Sequence, residues 1–449
     1  MKTVGRLLLI ALVLAFSSTM VFAQADLPGM QQWMQASANE GTIPVGTKIT
    51  MANWQQYKQF IPYSMTALFE GSMGSWKMPA DVEIDIGTTE HGLLPKSYIA
   101  ATEKYGDQTR LVYLPDGHID IQDYHGGVPF PNPKDPDMGT KLLANNFFAY
   151  VPSLYLNSPN NTGSLWFQDR HGNIVNQTID VVYRQSGWNT DPGVPVDESY
   201  DPGTWYTEWS MVESPEQSKY TALLSVFYKD QQANPFPDTY VFVPALRRSL
   251  RLSVSARCAP IYGSDWTNDD AKTIGFNGGT SLFNGKMLGE RKVIGLVDYN
   301  QQYAQFPANW DMPLGFPKPS WGQWQLRDVY VTDIRRIPSA AAGYCYGSRI
   351  MYIDKEFFYS LWTDLYDANM KLWKAQFWGP RVRQVPGVGR VITNSVGCAS
   401  YDLQNYHATY WSSAGNPRSA DPLFNSDAPA EFHDGIKYGN PSGLSQIER

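Results

Sequence analysis

The chain has 449 residues, a formal net charge of -7 and 18% charged side chains. No segment gathers Lys or Arg into a stripe, so the balance argues against a nucleic-acid partner. Three cysteines (Cys258, Cys345 and Cys398) are too few for a disulfide scaffold, which leaves one bridge with a spare thiol or three free thiols.

Lys2 and Arg6 precede an apolar run from Leu7 to Phe16, and small residues at Ala23 and Ala25 offer a cleavage site. Residues 1–23 therefore read as a secretory signal peptide. The run is short for a membrane span, no later run is long enough, and no Cys follows to take a lipid. The expectation is a periplasmic protein without a lipid anchor.

Residues 24–150 read as helices and extended turns. Met30 to Ala38 predicts a short helix. Trp54, Tyr57, Phe60 and Ile61 recur at helical spacing behind Thr50 and Asn53, and Pro62 ends or kinks that helix. Asp81 to Ile86 alternates like a strand, and Pro95 to Tyr105 like an amphipathic helix. After the rigid turn Gly126-Gly-Val-Pro-Phe-Pro-Asn-Pro133, Met138 to Tyr150 sets Leu142, Leu143 and Phe147 on one helical side.

Residues 151–410 read as hairpins. Ser164 to Phe167 and Ile174 to Tyr183 flank the polar loop Asp169 to Asn173. Asp191 to Gly203 is a long surface loop. Tyr220 to Tyr228, Tyr240 to Val243 and Leu250 to Val254 follow, then Lys286 to Asp298 and Leu326 to Ile334. Arg349 to Asp354, Phe357 to Tyr366 and Met370 to Phe377 form a meander with polar turns. The tail at 411–449 is rich in Pro, Ser, Gly and Asp and is expected to be loosely ordered. Hairpins without intervening helices predict a mainly β (α+β) fold, a curved antiparallel sheet whose concave face is covered by the N-terminal helices. Such an arrangement leaves a cavity at its mouth. The chain holds 15 Trp, 27 Tyr and 20 Phe, and cross-strand and core packing accounts for most of them before any ligand is invoked.

Several stretches, in this order, carry a resemblance. They are Gly126 to Pro133 before a helix ending in Tyr150, Tyr240-Val-Phe-Val-Pro-Ala-Leu-Arg-Arg248, Gly263-Ser-Asp-Trp-Thr-Asn-Asp-Asp270, and the meander through Met351, Asp364 and Leu372. Together they resemble an uncharacterised family of exported bacterial proteins, grouped with the outer-membrane lipoprotein-sorting (LolA/LolB-like) superfamily, over roughly Gly41 to Tyr410. Ala144 departs from the family pattern, which has a Trp there. The resemblance implies a half-open β-barrel that holds acyl chains or other hydrophobic molecules. Its implied partners are a hydrophobic small molecule or lipid, an RND-type inner-membrane exporter and an outer-membrane porin-like protein.

A carrier needs apolar walls and no catalytic group or cofactor. The wall candidates are Tyr240, Phe242, Leu250, Leu252 and Val254, with Arg247 and Arg248 facing an anionic head group or a partner. Alternatively, the two arginines pair with Asp265, Asp269 or Asp270 as scaffold. A sensor of lipid or misfolded envelope protein, or an accessory module of an exporter, would use the same walls. The enzyme alternative is a Cys-dependent hydrolase on Gly343-Tyr-Cys-Tyr-Gly347 with Asp364 and His407, but Tyr346 leads into a predicted strand where an elbow needs a helix. The six His are scattered, and no spacing among them marks a metal site.

Overall fold

The computed structural model describes residues 27–35, 40–73, 76–157, 163–194, 203–253, 257–270, 272, 274–300, 305–412 and 422–446. The expected signal peptide lies outside them. Helix α1 (Pro28–Gln35) precedes strand β1 (Lys48–Thr50), helix α2 (Tyr63–Glu70) and strand β2 (Glu83–Asp85), which pairs with β1. Trp54–Phe60 is a 3-10 helix, and the extended Pro62 separates it from α2; proline has no amide hydrogen to continue the earlier turn. Helix α3 (Lys96–Tyr105), the hairpin β3 (Arg110–Tyr113) and β4 (Ile119–Gln122), and helix α4 (Met138–Phe147) complete this part.

The hairpin-rich part begins with β5 (Leu154–Asn157), β6 (Gly163–Gln168), β7 (Ile174–Gln185), β8 (Thr204–Ser214) and β9 (Ala222–Tyr228). It continues through β10 (Asp238–Val243), β11 (Arg248–Arg251) and β12 (Phe283–Gly295). After the small pair β13 (Trp310–Asp311) and β14 (Phe316–Pro317) come β15 (Gln325–Arg336), β16 (Ser348–Asp354) and β17 (Ser360–Tyr366). The last elements are β18 (Leu372–Val385), β19 (Gly389–Asp402), β20 (His407–Ser412), β21 (Leu423–Phe424), α5 (Gly435–Gly439) and α6 (Pro441–Leu444).

One 15-stranded sheet runs in the order β11-β10-β9-β8-β7-β6-β20-β19-β18-β17-β16-β15-β12, with β5 and β21 branching at β7. Its ladders are antiparallel, as hairpin connections require. Strands β11 and β12 end the path, so the sheet is open rather than closed into a barrel.

The sheet curves around the segment 257–282. Asn277 donates its backbone N–H to Asp269 at 2.7 Å, so these residues sit side by side. Yet Asn277 reaches β8 through Glu208 (3.0 Å), while Asp269 reaches Arg336 on β15 (3.1 Å). Those strands are eight intervals apart in the sheet order, roughly 38 Å on a flat sheet at about 4.8 Å per strand. Only a strongly curved sheet brings them to neighbouring residues. Its concave face is therefore the one that carries Glu208, Trp378 and Arg349.

Helices divide between the two faces. On the concave side α4 lies against β12, where Gly139 and Gly285 meet so closely that a Cβ on either would overlap the other's backbone. The Asn146 amide donates to the carbonyls of Ile274 and Phe358, which ties α4 to the crossing segment. On the convex side α1 and α2 back the centre of the sheet. Trp33 packs edge-on to Tyr352 at 5.7 Å, and Ser64 donates to Asp364 at 2.5 Å. Strands β16 and β17 are consequently buried at every position, rather than on one face as alternation alone suggests.

The C-terminal stretch expected to be loose is packed from 422 to 446, whereas 413–421 lies outside the described residues. Phe432, Tyr438 and Leu444 are buried against the convex face of β8 to β10, with Tyr438 edge-on to Trp209 at 5.1 Å. Its turn-rich composition hides three widely spaced apolar anchors, enough to dock short helices on an existing sheet face.

Candidate functional site

The segment that fills the concave face is anchored by charge and by a covalent bond. Cys258 and Cys345 form a disulfide, and Cys398 is a buried free thiol. Arg257 donates to Asp269 at 2.6 Å, Arg336 also reaches Asp269, and Arg349 donates to Asp270 at 2.5 Å. Burial alone would raise the Asp269 carboxyl, but the Arg257 and Arg336 guanidiniums outweigh it and hold its pKa low. Asp270 also accepts from the backbone and hydroxyl of Thr267. Asp265 accepts from Thr409 (2.8 Å) and pairs with His407 (2.6 Å). Arg247 and Arg248 take no part in this network: the acids expected to hold them are held by Arg257, Arg336, Arg349 and His407.

Between this segment and the sheet lies a partly open cavity of about 170 Å³. Period-2 alternation builds its wall. Leu165 on β6, Ile179 and Val181 on β7, Leu223 on β9, Trp378 on β18, Cys398 on β19 and Trp411 on β20 share the concave face. The crossing segment supplies Ile261, Tyr262 and Trp266 from the other side. Tyr262 sits in the left-handed region (φ 51°), an uncommon backbone for a bulky residue. Its hydroxyl is held by Ser210 on β8 at 2.8 Å, which fixes the ring at the cavity.

Glu208 is the charged residue on this wall. Its carboxylate accepts from the Asn277 amide at 3.0 Å. The oxygen of that amide accepts from Tyr206 at 2.7 Å, and its NH₂ faces Glu208. Burial pushes the Glu208 carboxyl up to about 7, against the opposing pull of Lys272, the Asn277 bond and Arg257. Lys272 is turned away from the cavity. Its ammonium donates to the Phe147 carbonyl at 2.9 Å and lies 4.5 to 5.0 Å from the rings of Tyr206, Trp205 and Phe147. Burial lowers its pKa while Glu208 raises it, with a net downward shift.

The residues expected to form the wall are not brought to one place. Phe242 is buried on the convex face beside Tyr438 and Leu444, and Tyr240 packs on the same cluster. Leu250 faces the other way, opposite Val241. Leu252 lines a separate hollow of about 480 Å³ with a mixed polar lining that includes Arg251, Asp238 and Arg257. Val254 lies outside the described residues. Arg247 (φ 49°) and Arg248 are exposed at the hairpin end. What sequence reasoning missed is the concave wall and Glu208. The available signal was a lone acid in the aromatic strand Thr204 to Val212.

The hydrolase constellation does not assemble. Cys345 is bonded to Cys258, and its successor Tyr346 leads into strand β16. Asp364 is engaged by Ser64 and Tyr352, and His407 by Asp265. Asp265, Asp402 and His407 do converge, with potential ligand atoms within 4.8 Å. Their oxygens are already used, Asp402 by the Trp373 indole and the amides of Gln404 and Asn405, so the group reads as a charge cluster.

The chain belongs to the family described as "Protein of unknown function (DUF1329)", whose model matches residues 48–434. No curated protein matches the sequence. Among solved structures, similarity is found to a domain from Vibrio parahaemolyticus described as a candidate outer membrane lipoprotein-sorting protein (14% identity, TM-score 0.44), covering 68% of this chain and 98% of that one. A DUF1329 family protein from Desulfovibrio piger shares 15% identity at TM-score 0.44, over 68% and 100% of the two chains. The LolA superfamily protein NE2245 from Nitrosomonas europaea shares 11% identity at TM-score 0.36, over 64% and 93%.

Proposed function

We propose that this DUF1329 protein binds a hydrophobic ligand, a lipid, an acyl chain or another small apolar molecule, on the concave face of its sheet and carries it through the periplasm. The observation that supports this reading is the cavity itself. Its wall is mainly aliphatic and aromatic, it is flanked by a strongly anchored segment, and it needs no nucleophile to hold an apolar guest. Among the described residues, no helix is long and apolar enough to cross a membrane.

Size limits what fits. A cavity of about 170 Å³ is comparable to an engineered apolar cavity of about 150 Å³ that takes benzene. A ring or roughly six methylenes would enter, contributing about 5 kcal/mol at about 0.8 kcal/mol each. That corresponds to a Kd of order 10⁻⁴ M before other contacts, weak enough for exchange. A longer acyl chain would extend through the open side.

Native mass spectrometry of protein purified from membranes without detergent tests the reading. A co-purified hydrophobe, displaced by added octanol, is the expected result. A cavity that stays empty and takes up no octanol at millimolar concentration would overturn it. Transfer of labelled lipid between vesicles, accelerated by the protein, is expected of a carrier, whereas a sensor would bind without speeding it.

A further inference from the structure

The cavity wall is mainly apolar, with Ser210, Ser225, Ser264, Asn268, Asn277 and Glu208 among its polar members. Glu208 is the charged group on its wall, and among the described residues its hydrogen bond comes from Asn277. The neighbouring cations are committed elsewhere. Lys272 is capped by the Phe147 carbonyl and three aromatic rings. Arg257 is spent on Asp269 and on the carbonyls of Asn268 and Asn277. The cavity thus presents to its guest a carboxylate that, among the described residues, neither Lys272 nor Arg257 hydrogen-bonds, although both lie near enough to pull its pKa down. Hydroxyls of Ser210 and Ser225 and the Asn277 amide lie nearby on the wall.

Resting on the reading of the cavity as a hydrophobic-ligand site, we propose that its guest is an amphiphile with a short apolar body and a hydrogen-bond-donating head, best a primary ammonium, seated on Glu208. A carboxylate or phosphate head is disfavoured, because it would bring like charge against Glu208 in a mainly apolar cavity. The groups that face Glu208 are Lys272, Arg257, Tyr183 and Tyr206. Burial keeps Glu208 only partly ionised near neutrality, a cost that a bound cation would relieve by holding the carboxylate charged.

Octylamine, octanol and octanoate are a matched probe set, read by calorimetry at pH 8.5, where Glu208 is ionised and octylamine is still protonated. Octylammonium is expected to bind at least tenfold more tightly than octanol, and octanoate more weakly than octanol. Glu208→Gln keeps the shape and removes the charge. It is expected to erase the ammonium preference while octanol binding changes less than twofold; its thermal midpoint, compared with the parent protein, controls for folding. Ser225→Trp, which fills the cavity from a half-buried wall position, should abolish all three. If octanol binds but octanoate binds as tightly as octylammonium, or the preference survives Glu208→Gln, the head-group inference fails and the hydrophobic site stands. If none of the three binds the parent protein, both fail.

Discussion

Asp269 and Asn277 are hydrogen-bonded neighbours that hold opposite halves of the sheet, Asp269 through Arg336 on β15 and Asn277 through Glu208 and Tyr206 on β8. The pair closes the concave face, and most of what the molecule offers a ligand follows from it. If the segment is a fixed plug, its ion pairs matter to stability and the cavity keeps its shape.

Removing Asp269 should show this. In Asp269→Ala, Arg257 and Arg336 keep their charge in a buried setting with no carboxylate, which costs about 3–5 kcal/mol. Urea unfolding of the variant is expected to show that loss. Arg247→Ala and Arg248→Ala, on the exposed hairpin end, should stay within about 0.5 kcal/mol of the parent. Equal effects from the two sets would contradict the plug.

The bridge between Cys258 and Cys345 spans 87 residues of sequence. Cross-links over loops of this length stabilise by about 4.6 kcal/mol in the chain-entropy model, with measured values of about 2–5. Replacing both cysteines by serine should lower the urea midpoint accordingly, with Cys398 left free in both proteins. No shift would mean that the ion pairs alone fasten the segment.

Asp364 supplies a pH signature. Burial raises its pKa to about 6, against the pull of the Ser64 and Tyr352 hydrogen bonds. With its folded value above the unfolded 3.8, the folded state binds the extra proton. The group therefore destabilises the fold above pH 6 by about 3 kcal/mol, and the penalty is relieved as pH falls from 6 towards 4. Compared with Asp364→Asn, the parent protein should gain relative stability over that window. Parallel pH profiles for the two proteins would refute it.

His407 works within a different window. Its hydrogen bond to Asp265 raises its pKa above 6.5, against partial burial. The resulting stabilisation is present below pH 6.5 and disappears as pH rises through the raised value. The side chain is 45% exposed, so the effect is small, and NMR titration of the ring is the direct measurement. It should report a pKa above 6.5 that returns towards the ordinary value in Asp265→Asn.

The sequence by itself determined the kind of sheet. Runs such as Ile174 to Tyr183, joined by polar turns without intervening helices, can only be paired antiparallel, and the mainly β curved sheet follows from them. Sequence also restricted the cysteines to one bridge or none. It left open which face turns inward. Alternation places Tyr240 and Phe242 on one side and Val241 on the other, but says nothing about the direction in which the sheet bends. That direction is decided by packing between residues far apart in the chain: Arg336 with Asp269, Asn277 with Glu208, Trp378 with Trp266. Such contacts form only when eight strand intervals are rolled around one segment. The hairpin at Tyr240 looked like the wall because its pattern is the clearest. The cavity wall draws one to three residues from each of eight strands, and its one charge, Glu208, gains its meaning from a tertiary setting that no local pattern encodes.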